Sequence, residues 1–114
     1  MELKDGSRKI GIPNVKKVSE LGKVRGLMFR RREKCSALLF EFKKPTTMKI
    51  HSCFVFFPFV AIWLDENNKI IEKKIVKPWK ISISPSVEYY RKLLEIPFNK
   101  FYSSKVKNLV GQKI

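Results

Sequence analysis

From Ile50 to Leu64 the chain reads IHSCFVFFPFVAIWL without a charged residue, although Lys, Arg, Asp and Glu make up 31% of the sequence. A run of this kind leaves three destinations: a membrane, a reactive cluster or a core. It spans about 15 positions, whereas an α-helix needs roughly 20 apolar residues to cross the hydrocarbon layer. Pro58 interrupts it, and Phe, Val, Ile and Trp suit a pleated buried surface better than a helix interior. The reading is two strand segments, the first from Met48 to Phe57, meeting at Pro58 as a bend or edge. His51 and Cys53 would face the same side of such a strand, but about 6.6 Å apart, too far for a nucleophile–base hydrogen bond. One His and two Cys, Cys35 and Cys53, match no zinc spacing, so neither a metal nor a cofactor is expected. Cys53 then reads as a small core hydrophobe and His51 as a hydrogen-bonded strand residue.

A chain of 114 residues fits one domain, spanning 1–114. Its charge is less ordinary: 25 Lys and Arg against 10 Asp and Glu give +15. That field attracts nucleic acid, anionic lipid surfaces and acidic proteins alike, and a lysine-rich surface also simply favours solubility. The opening MELKDGSRKI lacks the apolar stretch of a signal peptide, and two cysteines make no disulfide framework, so a reducing cytoplasmic location is expected.

Along the chain, residues 1–12 show charge, Gly6 and Gly11 without periodicity and read as a loose or weakly paired N-terminal arm. Ser19 offers an N-cap, and Leu21, Val24, Leu27 and Met28 recur at helical spacing, predicting a short helix near 19–29 that Gly22 and Gly26 weaken. From Ser36 the period becomes two, with Leu38, Phe40 and Phe42 on one face and Leu39 and Glu41 on the other. VAIWLDENNKIIEKKIV predicts a hairpin turning at Asp65–Asn68, with Asn68 the candidate for positive φ. KPWKISISP alternates Trp79, Ile81 and Ile83 against Lys80 and Ser82 as a further strand. SVEYYRKLLEIP could be a helix capped by Ser86, with Glu88 and Lys92 paired at i,i+4. FNKFYSS reads as a helical turn, and Gly111 as the start of a short last strand. The fold class that results is α+β, mainly β, with a mostly antiparallel, barrel-like sheet and one or two short helices.

VRGLMFRR, SALLFEF, the FPFVAIWLDENNKII hairpin, LLEIP and the terminal VGQKI, in that order, resemble the family known as domain of unknown function 192, also called uncharacterised protein family 0127. The resemblance runs from roughly Lys17 to the end, and its most specific element is Arg25-Gly26-Leu27-Met28 before an apolar strand. Pro58 and the later Leu64-Asp65 also fit the family pattern. It implies a small β-rich domain in which Tyr90–Ile96 is a strand, overriding the local helix preference. It implies no established activity, cofactor or catalytic residue. Two positions depart from it: Val60 stands where the family usually carries aspartate, and Gln112 follows Gly111 where Asp is common.

Two basic groups are candidate surfaces. Arg30, Arg31, Arg32 and Lys34 crowd a connection where Glu33 cannot pair with all of them, leaving guanidinium groups for phosphates; the plain alternative is a solvated loop. Lys73, Lys74, Lys77 and Lys80 straddle Trp79, and basic residues around an exposed aromatic suit single-stranded nucleic acid, although Trp79 also continues the Ile81/Ile83 face, as a core residue would. The same choice faces Tyr89 and Tyr90. No phosphate-binding glycine loop occurs, and Glu41, Glu72 and Glu95 lie among lysines that would keep them ionised and structural. Two functions follow. The first is a non-enzymatic binding domain contacting nucleic acid or another polyanion. The second is a small-ligand or enzymatic site near Arg25, Met28 and His51, with His51 titrating near neutrality. No basic amphipathic helix long enough for a membrane surface is evident.

Overall fold

The computed structural model describes residues 1–18, 27, 30–50, 52, 55–80, 82–85 and 89–110. Two strands, β1 (Glu2–Asp5) and β2 (Arg8–Gly11), pair as an antiparallel hairpin. A second sheet has the order β3-β4-β7-β5-β6, from β3 (Lys16–Lys17), β4 (Leu38–Thr46), β5 (Phe59–Leu64), β6 (Ile70–Val76) and β7 (Tyr90–Pro97). β3 runs parallel to β4 and the remaining pairs are antiparallel, so the sheet is mixed. Among the described residues it stays open, with β3 and β6 as its edges; a single bridge, Lys4 to Lys69, links the hairpin to β6. In place of the barrel-like sheet expected from the sequence, the described residues form a mixed, open five-stranded sheet and a hairpin. A helix, α1 (Ser103–Val110), ends the described chain.

Both faces of the large sheet are covered, which explains why every residue of β5 is buried. Strand side chains alternate between faces. Val60, Ile62 and Leu64 join Leu39, Leu94 and Ile96 in one core, capped by Leu3, Ile10 and Ile12 of the hairpin region and by Tyr102, Val106 and Leu109 of the C-terminal segment. Phe59, Ala61 and Trp63 point the other way, into a second core with Leu38, Phe40, Leu93, Tyr90, Leu27, Cys35, Ile50, Val55, Phe57 and Val76. The described residues of the uncharged run are thus mostly core, Phe56 excepted, and its second half is the strand β5. In the first half, among the described residues, Ile50 makes one bridge to Ile83 and no regular strand forms.

Residues 1–12 are a correction. Gly6, with φ 63, sits at the first central position of a two-residue turn, where a type II′ hairpin requires positive φ, and Leu3 is fully buried. An apolar residue facing inward on each strand gives the hairpin a core to pack on, which a loose arm lacks. The β5–β6 hairpin forms as predicted: Asn68 has φ 64, and the Asp65 carboxylate accepts the backbone N–H groups of Asn67 (2.8 Å) and Lys69 (2.9 Å). β7 spans the segment that the family resemblance implied to be a strand. At the C-terminus, Val106–Val110 are helical instead of leading into a strand, because Tyr102, Val106 and Leu109 recur on one buried stripe. The predicted helix near 19–29 and the strand after Gly111 fall outside the described residues, Leu27 excepted; Leu27 lies in the second core.

Candidate polyanion interface

The Arg30–Lys34 connection contains a 3-10 turn, Arg32–Lys34, and it is tied down. Asn99, only 2% exposed, donates from Nδ2 to the carbonyls of Arg32 (2.9 Å) and Cys35 (3.0 Å), and its Oδ1 accepts the Tyr102 N–H (3.0 Å). The Arg32 guanidinium donates to the Phe98 carbonyl, and Glu33 accepts the Lys100 N–H at 2.9 Å. Arg32 is therefore a structural clasp, and it also lines a groove of about 350 Å³ with Glu33, Asn99, Lys100 and Ser103. Arg31 and Lys34 are exposed and make no ion pair among the described residues. The expectation of several unengaged guanidinium groups here narrows chiefly to Arg31, since Arg30 also has an interaction of its own.

The second basic group divides. On β6, Lys73 lies opposite Ile62 and Lys74 opposite Ala61, so the two lysines take opposite faces. Lys73 pairs with Asp5 of the hairpin at 3.4 Å. Lys74 reaches the Ser84 carbonyl (2.7 Å) and Glu72 (3.4 Å), with its ammonium 5.9 Å from the Trp63 ring. Lys74, Lys77 and Lys80 come together, lining a groove of about 330 Å³ with Ile75, Val76 and Ile83.

At the end of that groove, Lys77-Pro78-Trp79-Lys80 makes a turn with proline first and positive φ second, the pattern of a type II turn. The second central position usually takes glycine, yet here it is Trp79 with φ 64. Ser52, fully buried, holds this turn: its hydroxyl donates to the Lys77 carbonyl (2.7 Å) and accepts the Lys80 N–H (2.7 Å), while its carbonyl accepts the Trp79 N–H (2.8 Å). Trp79 consequently stands half exposed, edge-on to Phe56, itself 61% exposed, with ring centroids 5.6 Å apart. Its alternation with Ile81 and Ile83 suggested a core position; the turn reverses that, because Trp79 is not on a strand. Tyr89 is exposed as well, whereas Tyr90 is buried.

The model of the family DUF192, described as "Uncharacterized ACR", matches residues 15–114. The chain belongs to that family. No curated protein matches it significantly. A crystal structure of a protein of unknown function from Novosphingobium aromaticivorans is similar in fold, with TM-score 0.69 and 13% identity over 90% of this chain and 74% of that one. So is a candidate transcription regulator from Sinorhizobium meliloti, with TM-score 0.70 and 20% identity over 95% of this chain and 82% of that one. At these identities the likeness is one of fold.

In this DUF192 protein Val60, standing where the family commonly has aspartate, is fully buried among aliphatic side chains. Gln112 lies outside the described residues, as do Arg25, Met28, His51 and Cys53. Among the described residues the buried carboxylate is that of Glu95, 5% exposed. Burial pushes its pKa up to about 8. It is thus not the lysine-surrounded structural ion expected from the sequence, whereas Glu41 does lie beside Lys17 and Glu72 beside Lys74. Burial likewise raises the Cys35 thiol to about 11, with Glu95 adding to the effect and Arg30 opposing it, which leaves the thiol protonated and a poor nucleophile. Tyr90 rises to about 12, first by burial and then by the nearby Glu95. Among the described residues no group of three His, Cys, Asp or Glu is placed to hold a metal, and no helix is long and apolar enough to cross a membrane.

Proposed function

We propose that this protein is a non-enzymatic binding domain that contacts single-stranded nucleic acid, with Trp79 and Phe56 meeting bases and Lys74, Lys77 and Lys80 meeting phosphates. The observation that carries this reading is the Trp79 turn. A bulky residue at positive φ costs free energy, and conformations of that kind persist where the surrounding structure enforces them, often at functional positions. Here the cost is spent on presenting an indole to solvent beside a lysine-lined groove. Aromatic platforms beside cationic grooves are how single strands are held without sequence readout. Arg31 and Lys34 supply further charge, and +15 overall favours encounter with any polyanion. A buried, reduced Cys35 accords with a cytoplasmic setting.

Fluorescence anisotropy of labelled single- and double-stranded DNA and RNA, measured against salt, tests this. Single strands should bind more tightly than duplexes. Trp79→Ala should weaken binding by about 10- to 100-fold, as loss of one stacking platform does. Lys74→Gln/Lys77→Gln/Lys80→Gln should flatten the log K against log salt slope by about 2. No binding near physiological salt, or an unchanged Trp79→Ala affinity, would overturn the reading. Trp79→Gly separates function from stability. Glycine accepts φ 64 without a Cβ penalty, so urea unfolding should show this variant up to about 1 kcal/mol more stable even as its nucleic-acid affinity drops.

A further inference from the structure

We infer that the Trp79 platform is one end of a longer track for a single strand, whose other end is a second platform made by Phe101 with Arg31, Arg32 and Lys100. The inference rests on the single-strand reading of the Trp79 surface and extends it to residues that nothing in the sequence groups together.

Sheet register brings the two platforms to the same end of the fold. Phe59 opens β5, and it lies opposite Val76, the last residue of β6, and opposite Pro97, the last residue of β7. β4 in turn starts at Leu38, opposite Glu95, two residues before β7 ends. The start of β4, the end of β7, the start of β5 and the end of β6 therefore share one end of the sheet, in that spatial order. The flanking segments supply the surface: the Arg30–Lys34 connection ahead of β4, Lys100 and Phe101 after β7, Phe56 ahead of β5, and Lys77, Trp79 and Lys80 after β6. Hydrogen bonds join these neighbours. The Phe98 N–H donates to the Pro58 carbonyl at 3.0 Å, and Asn99 Nδ2 donates to the Arg32 carbonyl at 2.9 Å.

The Phe101 end repeats the chemistry of the Trp79 end. Phe101 is 55% exposed and set edge-on to the buried Tyr102, with ring centroids 4.8 Å apart, so the ring is oriented while more than half of the residue meets solvent. Lys100, beside it in the turn, lines the groove of about 350 Å³ that Arg32 shares. Arg32 commits Nε to the Phe98 carbonyl, which leaves its two terminal nitrogens without a partner among the described residues. Glu33 is the carboxylate on this groove; one oxygen accepts the Lys100 N–H, and the other lies 4.0 Å from Arg32 Nε. With Arg31 exposed alongside, three cations face one carboxylate, so the groove favours phosphate next to an aromatic ring.

The ends of β7 and β6 are two strand spacings apart, about 10 Å. A stacked single strand advances about 3.4 Å per nucleotide, so roughly four nucleotides or more reach from one platform to the other, the low end of the range for comparable grooves. A dinucleotide reaches only one.

Oligothymidylates of different length test this. Wild type should bind the eight-nucleotide strand about 100-fold more tightly than the dinucleotide, with one strand per protein, because the second contact becomes intramolecular. Phe101→Ala should weaken the eight-nucleotide strand about tenfold and the dinucleotide by less than about twofold. Phe101→Leu keeps an apolar contact with Tyr102 and removes the aromatic face, so it should match alanine. Arg31→Gln/Lys100→Gln should flatten the log K against log salt slope for the longer strand by about 1.4. Loss of affinity in Trp79→Ala with none in both Phe101 variants, or two strands bound per protein, would overturn the track and leave the Trp79 site standing. No binding of any length by wild type would overturn both.

Discussion

Asn99→Leu should cost roughly 3–4 kcal/mol of folding stability. The side chain is 2% exposed and makes three hydrogen bonds, to the carbonyls of Arg32 and Cys35 and from the N–H of Tyr102. Leucine matches its size and fills the space, so no cavity arises. What remains is three backbone groups stripped of partners, and a buried group left unpaired costs about 1–3 kcal/mol, more than a hydrogen bond contributes when made. The Arg32 carbonyl can turn to water, which keeps the sum below three full penalties. Urea unfolding with unchanged m would register the loss as a lower midpoint. Asn99→Asp sharpens the test. It keeps the acceptor for Tyr102 but sets carboxylate oxygens against two carbonyls, so it should destabilise at least as much as leucine at neutral pH. A wild-type midpoint for either variant would mean that Asn99 does not hold the connection.

The same clasp explains why the Arg30–Lys34 stretch was only partly legible. Arg-rich sequence between two elements reads as solvated charge, and nothing in RRREK signals that a residue 67 positions away would hydrogen-bond its backbone. Local signals fared better where local physics decides. The β5–β6 turn follows from Asp65 bonding forward to Asn67 and Lys69 and from an asparagine accepting φ 64. Asp5-Gly6 carried an equally good hairpin signal, and Tyr102, Val106 and Leu109 carried a helical stripe; both were readable at the termini, where mixed charge and Gly111 obscured them. Trp79 was misread for a different reason. Period-two alternation cannot tell a strand from a proline turn, and the buried Ser52, from 27 positions earlier, holds that turn. Glu95 shows the same limit in the opposite direction: on β7 it follows Leu93 and Leu94 at a position where either face could be wet. It is dry because β5 and β4 flank it and the second core covers that face.

That dryness sets a pH dependence with a definite sign. The folded pKa of Glu95, about 8, lies above the ordinary value of 4.5. Between those two values the unfolded chain has released the proton and the folded chain still holds it. The native state binds more protons, so stability falls as pH rises through this window and levels off above the folded pKa. The full effect is on the order of 4 kcal/mol, a large share of the 5–15 kcal/mol typical of a domain. Glutamine has the same shape and never ionises. Glu95→Gln should therefore match wild type near about pH 5 and exceed it by several kcal/mol near about pH 9, other titrations cancelling in the difference. Cys35, pushed up to about 11, contributes its own decline only above the ordinary thiol range and leaves this window clean. Paired urea curves across the range measure the difference directly, and a gap that stays constant with pH would show that Glu95 titrates as an ordinary carboxylate. A gap that widens with pH would show that wild type carries a carboxylate at a position where an amide folds better.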